Sequence, residues 1–552
     1  MTTVNDIAER YVTACAELNP VGATAHGIMG YDDRLPDLTP DGFAARAELD
    51  KWTVGELAAV TPGDDRERAA KLAMLERLTV AGELYDAGET TSELNVISSW
   101  VQDVRQVFDL MPMKGDEAGR NLAARMAAIP AAYSGLRRTL TEAAAGGRVA
   151  ARRQVLACAK QCADWSDHGR GFYPRLAERT KAAGAIRADL DQTAGQAAAA
   201  TAALGNFLES ELLPLAPEAD AVGRERYELA SRYFLGATVD LAEAYAWGWA
   251  EVQRIEDAMR HAAGEVGGGS TLAGAITALD ADPARLIRGR DALRDWMQGF
   301  ADATIAELNG RHFDIPGPAQ RIEAMIAPTS DGGIYYTGPS EDWSRPGRMW
   351  WALPDGLEEF STWKEISTIY HEGVPGHHLQ VAQAVFERDR LNRWQRLMAW
   401  VSGHGEGWAL YAERLMDELG YLADPGNRLG MLDGQLLRAA RVVVDIGVHL
   451  ELRIPADSPW HPGDVWDARL AWEFLRARSQ MDEDMLRFEL DRYLGWPGQA
   501  PSYKLGERIW LQARDEARLR KGAAFDLKDF HSQALALGSL GLDPLREALA
   551  RL

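Results

Sequence analysis

Cysteine is nearly absent: 552 residues hold only three, Cys15, Cys158 and Cys162. So small and odd a number excludes a disulfide framework and points to a reducing compartment, the cytoplasm. Cys158 and Cys162 share a helix face at i, i+4, a packing arrangement more than a redox one. Long apolar runs are also missing. None approaches the ~18 residues that span a bilayer, and Met1–Pro20 carries acidic residues instead of a basic, apolar leader. Positive charge is in deficit, with 60 Lys and Arg against 82 Asp and Glu and a net charge of −22. That balance argues against nucleic acid and anionic membranes as partners. Internal repeats and low-complexity linkers are lacking too, so nothing in the sequence separates two independent domains.

What is present is helical. Hydrophobic residues make up 46% of the chain and include 18 Trp, ample for a core, while 26% are charged, as in ordinary soluble proteins. The length exceeds a single compact core, so the expectation is one elongated, mostly helical domain over 1–552, with two lobes around a cleft. Ala-rich and Glu/Arg-rich segments with 3.6-residue spacing fill positions 1–310, as in Thr193–Leu212 and Asp240–Ala262. Ala145-Gly146-Gly147 and Gly267-Gly268-Gly269 break them. At Arg321–Leu353 the texture alternates and is bounded by Gly and Pro clusters, which predicts a small sheet. An edge strand there either pairs with a substrate backbone or merely packs on helices. The predicted class is all-α with a small β-sheet beside an active-site cleft.

Residues 370–380 read Tyr-His-Glu-Gly-Val-Pro-Gly-His-His-Leu-Gln. A His-Glu pair followed by further histidines is how helical zinc hydrolases hold one Zn²⁺: histidines ligate, and the Glu is the base for the attacking water. In the usual His-Glu-x-x-His the second ligand is at i+4, but here that position is Pro375. On a straight helix His377 would lie about 9 Å along the axis and roughly 240° around, facing away from His371. A shared metal therefore requires an irregularity, and Val374-Pro375-Gly376 is where a two-residue bulge forms most easily. Extruding two residues gives His377 the i+4 phase and leaves His378 one step past it. A metal set of His371 and His377 follows, with Glu372 as base. The structural alternative is a cluster of packed histidines, yet five of the chain's 11 (His371, His377, His378, His404 and His449) fall within 79 residues.

The helix bearing His371 opens on a capping pattern, Thr362-x-x-Glu365, and shows an apolar face of Trp363, Ile366, Ile369 and Tyr370. A third ligand is expected on a following helix. In Ser402–Leu415 the apolar spacing is helical from Trp408 onward, and Gly403, Gly405 and Gly407 allow a close approach. Glu406 and Glu413 are seven apart, nearly in line. Glu406, boxed by small residues, is the expected ligand and Glu413 the acceptor that orients a histidine N–H. Arg441, Asp445 and His449, at i, i+4 and i+8, form a polar stripe on an otherwise apolar helix. Either Arg441 clamps a substrate carboxylate or it pairs internally with Asp445. Tyr503, on a Gly-Pro loop, is a candidate donor to an oxyanion, or a loop cap.

His-Glu-x-x-Pro-Gly-His-His-x-Gln, Glu-Gly-Trp-Ala-Leu-Tyr-Ala-Glu and Pro-Gly-Gln-Ala-x-Ser-Tyr-Lys together resemble a bacterial family of uncharacterised domains, family 885. The resemblance is strong over the C-terminal half. The fold it implies is similar to the thermostable zinc metallocarboxypeptidases. In that comparison Gly376-His377-His378-Leu379 resembles their second-ligand segment. His404-Gly405-Glu406 with Glu413 resembles the segment whose Glu binds metal, and Arg441 with Asp445 the one whose Arg faces the substrate's terminal carboxylate. Their Asp-x-Arg-x-Thr has only a loose echo in Asp342 and Arg345. Gln499 stands where a Gln-Asp-x-His-Trp element would be.

The expected function is a zinc-dependent peptidase or carboxypeptidase-like hydrolase acting on peptides or related amides. One Zn²⁺ is held by His371, His377 and Glu406. Glu372, Tyr503 and His449 serve catalysis; Arg441, His378, His404 and Gln499 contact substrate; Glu413 and Asp445 support from behind. The alternative is a catalytically altered helical protein that binds a peptide or small molecule in the same cleft. A ferritin-like di-metal oxygenase needs Glu-x-x-His pairs, and no histidine has Glu three residues before it. The oligomeric state, monomer or homodimer, stays open.

Overall fold

The structure is a computed structural model describing residues 2–167, 171–266, 271–328, 333–354 and 356–552. It is mainly helical with small sheets. The predicted break at Gly267-Gly268-Gly269 lies outside the described residues. The chain divides into two compact units, Met1–Asp220 with Leu494–Trp496, and Ala221–Tyr493 with Pro497–Leu552.

The first unit is built from helices whose apolar residues recur every three to four positions. Trp100–Leu110 buries Val101, Val104, Val107 and Phe108 on one face, and the core they enter includes Met126, Leu136 and Leu204 from the long helices Asp116–Ala145 and Gly184–Phe207. Phe108 meets Tyr173 edge to face at 6.3 Å, a preferred aromatic geometry. Cys158 and Cys162 are free and fully buried in this core. Burial pushes the Cys158 thiol up to about 12, which suits packing and not redox chemistry.

The second unit carries the histidine-rich segments. Strands β1 (Leu286–Arg288) and β5 (Glu359–Ser361) form an antiparallel pair. Strands β2 (Ile322–Ile326), β3 (Ile334–Thr337) and β4 (Gly347–Trp351) form a sheet of order β2-β4-β3, with β2 parallel and β3 antiparallel to β4. β3 is therefore an edge strand. Ala352 N–H donates to the Gly333 carbonyl at 3.0 Å. By the alternation of an antiparallel ladder, Tyr335 and Thr337 carry the inter-strand bonds, and Ile334 and Tyr336 turn their backbone groups outward.

The helix Thr362–Glu372 follows β5 directly and buries Trp363, Ile366, Ile369 and Tyr370. The capping pattern read at Thr362 is not what starts it. Ser361 occupies the cap without a side-chain bond, and Glu365 instead accepts from the Trp351 indole of β4 at 2.8 Å. The sheet recruits the carboxylate that a capping box would have used.

Candidate metal centre

The expected bulge is in fact a break. The helix ends at Glu372 and a second begins at His377, running to Phe386, with 373–376 as a tight connection. Gly376 N–H reaches back to the Tyr370 carbonyl at 3.0 Å. A Cβ on Gly376 would sit 2.0 Å from the His371 carbonyl oxygen, so only glycine lets the returning chain lie against His371. The rings of His371 and His377 consequently meet at 4.8 Å, nearly perpendicular. A continuous bulged helix would keep one axis; two short helices let the second histidine turn toward the first.

Glu406 arrives on a third helix, Ser402–Glu418, which begins earlier than the apolar spacing indicated and includes all three glycines. Gly403 and Gly407 meet the helix Ser502–Lys521: a Cβ on Gly407 would lie 2.4 Å from the Gly506 backbone, and one on Gly506 would lie 1.9 Å from the Gly403 carbonyl. Two helices crossing glycine on glycine bring Glu406 and Tyr503 into one neighbourhood. Glu406 Oε2 is 3.3 Å from both His371 Nε2 and His377 Nε2. Among the described residues these three form a possible metal-binding group, with ligand atoms all within 4.8 Å of one another. The edge of a tetrahedron around Zn²⁺ with bonds of about 2.05 Å is about 3.4 Å, so the donor set fits.

Electrostatics agree with that fit. His371 Nδ1 donates to Glu413 Oε1 at 2.7 Å, which turns Nε2 toward Glu406; a metal there would take the place of the Nε2 proton. Burial opposes the charged His371 imidazole, but the bonds to Glu406 and Glu413 raise it to about 9. Burial also opposes the Glu406 carboxylate, yet His377 and His371 hold it well below the usual carboxylate range. Glu413 is likewise low: Arg438 and the bonds from His371 and Ser367 outweigh its burial. Glu372 behaves oppositely. Burial pushes its carboxyl up, and its Oε2 is buried without a hydrogen-bond partner.

The remaining candidates separate. His378 is fully buried and spends both nitrogens: Nε2 donates to the Ala319 carbonyl at 2.8 Å and Nδ1 accepts from the Tyr336 hydroxyl at 2.9 Å. Burial lowers its pKa to about 4, so it is neutral and is not left a nitrogen for substrate. His404 is not brought to the group either. Its Nδ1 accepts from Leu540 N–H at 2.9 Å and its ring packs on Trp510, a structural joint. His449 is fully buried, with Nε2 donating to the Tyr493 carbonyl at 3.0 Å and its ring against Tyr227; it too is no part of the three-residue group.

Tyr503 does reach the site. Its ring stacks on His371 at 6.2 Å. Burial and the Glu406 carboxylate push its phenol up and keep it protonated, against the nearby Arg492 and Arg441 charges. Arg441 lies over the same ring at 4.8 Å but pairs with Glu489 at 2.6 Å, not with Asp445. Asp445 instead accepts from Tyr227 at 2.6 Å and from Gly498 N–H at 2.9 Å. Gln499 accepts from Arg492 at 3.4 Å. Arg492 and Arg441 share Glu489 and, against its burial, hold it down at about 2. Arg441 Nη1 and Arg492 Nε remain buried without partners.

Sequence reasoning passed over Tyr336, Trp400, Arg438, Glu489 and Arg492. Ser367 was within reach, one helical turn before His371 on the same face. Trp400 and Arg438 stand near Glu406 and Arg441 in sequence but carry no pattern that marks them, and Tyr336, Glu489 and Arg492 arrive from more distant segments.

Fold and site together define a mainly helical protein with a possible metal group of two histidines and one carboxylate. The chain belongs to the family described as bacterial protein of unknown function (DUF885), whose model matches residues 20–549. No curated protein matches it. Among solved structures it is similar to a candidate lipoprotein from Colwellia psychrerythraea, with 21% identity, TM-score 0.86, and 99% of this chain and 98% of that one covered. A candidate lipoprotein of unknown function from Shewanella oneidensis is also similar, with 17% identity, TM-score 0.71, and 99% of each chain covered. At these identities the likeness speaks for the fold alone. No helix among the described residues is long and apolar enough to cross a membrane.

Proposed function

We propose that the chain is a zinc-dependent hydrolase of peptides or related amides, carboxypeptidase-like in fold and action. The observation that carries this reading is the convergence of His371, His377 and Glu406 beside a buried Glu372 whose Oε2 has no partner. When bound, Zn²⁺ supplies Lewis acidity, polarising a carbonyl and making water acidic enough to attack near neutral pH. His371 is oriented for ligation by Glu413. Glu372 Oε2 takes a proton from the attacking water and returns it to the leaving amine; its raised pKa suits both halves of that task. The Tyr503 phenol, kept protonated by its burial, donates a hydrogen bond toward the oxygen that becomes negative. Outward-facing backbone groups of Tyr336 on edge strand β3 pair with an extended peptide. The unspent Nη1 of Arg441 receives a substrate carboxylate. Three free cysteines support a reducing, cytoplasmic setting for this activity.

The test is elemental analysis of purified protein, followed by assay of amino-acid release from a peptide library with and without chelator. Zinc near one per chain and chelator-sensitive cleavage are expected. A clean, zinc-loaded preparation that cleaves no peptide, amide or ester sinks the reading and leaves a binding protein.

A further inference from the structure

His371 and His377 converge on the same metal group but are held by different means. His371 gives its second nitrogen to Glu413. The Nδ1 of His377 is buried with no hydrogen-bond partner. A ligating histidine without that second bond has its ring orientation decided by packing alone.

The packing is aromatic. Tyr336 lies nearly parallel to the His377 ring, 26° apart with centroids at 6.4 Å. Trp400 covers the same ring at 5.7 Å. Each of these has a seat that requires glycine. A Cβ on Gly347 would fall 2.2 Å from the Tyr336 hydroxyl and 2.5 Å from His378 Nδ1; one on Gly405 would fall 2.2 Å from the Trp400 ring. Tyr336 is further pinned through its hydroxyl to His378, which is itself anchored on the Ala319 carbonyl.

We propose that Tyr336 and Trp400 are positioning residues that clamp His377 for the metal, with His378 as the lock acting through Tyr336. The proposal rests on the metal reading above. It gives the adjacent histidines separate work: His377 ligates, and His378 fixes the ring that holds it.

Zinc dissociation constants from competition with a chromophoric chelator test this, read beside the melting temperature of the zinc-free protein. Trp400 is 45% exposed, so Trp400→Ala should leave zinc-free melting nearly unchanged while weakening zinc ~10–100-fold, the range for outer-sphere partners. Trp400→Phe, which restores an aromatic face, should recover most of that loss. Tyr336→Phe keeps the ring but breaks the lock, and should weaken zinc about 10-fold. Trp400→Ala and Tyr336→Phe proteins that bind zinc as the wild type does overturn the clamp alone. Affinity lost only in step with zinc-free melting overturns it as well, since that is a folding effect. Wild-type protein that binds no zinc overturns the metal reading and the clamp with it.

Discussion

At the scale of single residues, position in the sequence says little about role. His377 and His378 are neighbours with the same chemistry, yet one faces Glu406 and the other is consumed by Ala319 and Tyr336. His377→Ala should therefore abolish tight zinc binding. His378→Ala should keep zinc with affinity lower by ~10–100-fold. Zinc titration of both variants separates the two, and the reverse order would mean that the phase of the second helix is misjudged. Glu372 is adjacent to His371 but makes no bond through Oε2. Glu372→Gln should keep zinc stoichiometry and lower kcat by at least ~10², the contribution of a general base; metal analysis beside steady-state kinetics checks it, and a metal-free variant would make Glu372 a ligand.

Elements bring these residues together through glycine. Gly376 lets one helix stop and the next begin within four residues, and the Gly403, Gly407 and Gly506 contacts set how closely two helices cross. Gly506→Ala forces a methyl against a backbone carbonyl, a steric conflict that costs roughly 1–3 kcal/mol or more and should pull Glu406 away from Tyr503. A lower denaturant midpoint together with weaker zinc binding is expected; unchanged values would show that the crossing tolerates a methyl. The same helix carries Lys504, fully buried, whose ammonium joins Glu251 at 3.0 Å, Gln435 and Glu507. Lys504→Met would strand the buried Glu507, while Glu251 keeps Arg254, and should cost about 3–5 kcal/mol, measured by urea unfolding. The glycines were legible as close-approach points, but not what they approach, because a glycine records permission and not its partner.

For the whole molecule, buried neutral histidines couple stability to pH. Burial lowers His404 to about 4, and burial with the nearby Arg514 charge lowers His531 to about 3. Unfolded imidazole binds a proton near 6.5. Between those values the unfolded chain holds more protons, so this stability is complete above about pH 6.5 and is lost as pH falls. At pH 5 the loss should be about 2 kcal/mol per histidine. Urea midpoints at pH 7 and pH 5 check it, and equal midpoints would mean that these rings are already charged in the fold. On the proposed metal reading, removing zinc with chelator should lower the melting temperature, and added zinc should restore it, since a ligand bound only by the folded chain stabilises it by mass action.

The sequence by itself determined the helical class, the position of the small sheet, and the residue types of a possible metal-binding group. These rest on short-range periodicity and on spacings of at most seven residues, where helix geometry is the whole constraint. The tertiary structure alone decided which polar groups spend themselves on each other. Arg441 finds Glu489 across 48 residues, Asp445 finds Tyr227 across 218, and His404 finds Leu540 across 136. Local pattern encodes which face of an element is polar, but a buried polar group takes whatever partner the packed chain delivers. That is why His404 and His449 read as site residues in sequence and stand in the fold as joints, while Tyr336 and Trp400 had no signal of their own and lie against His377.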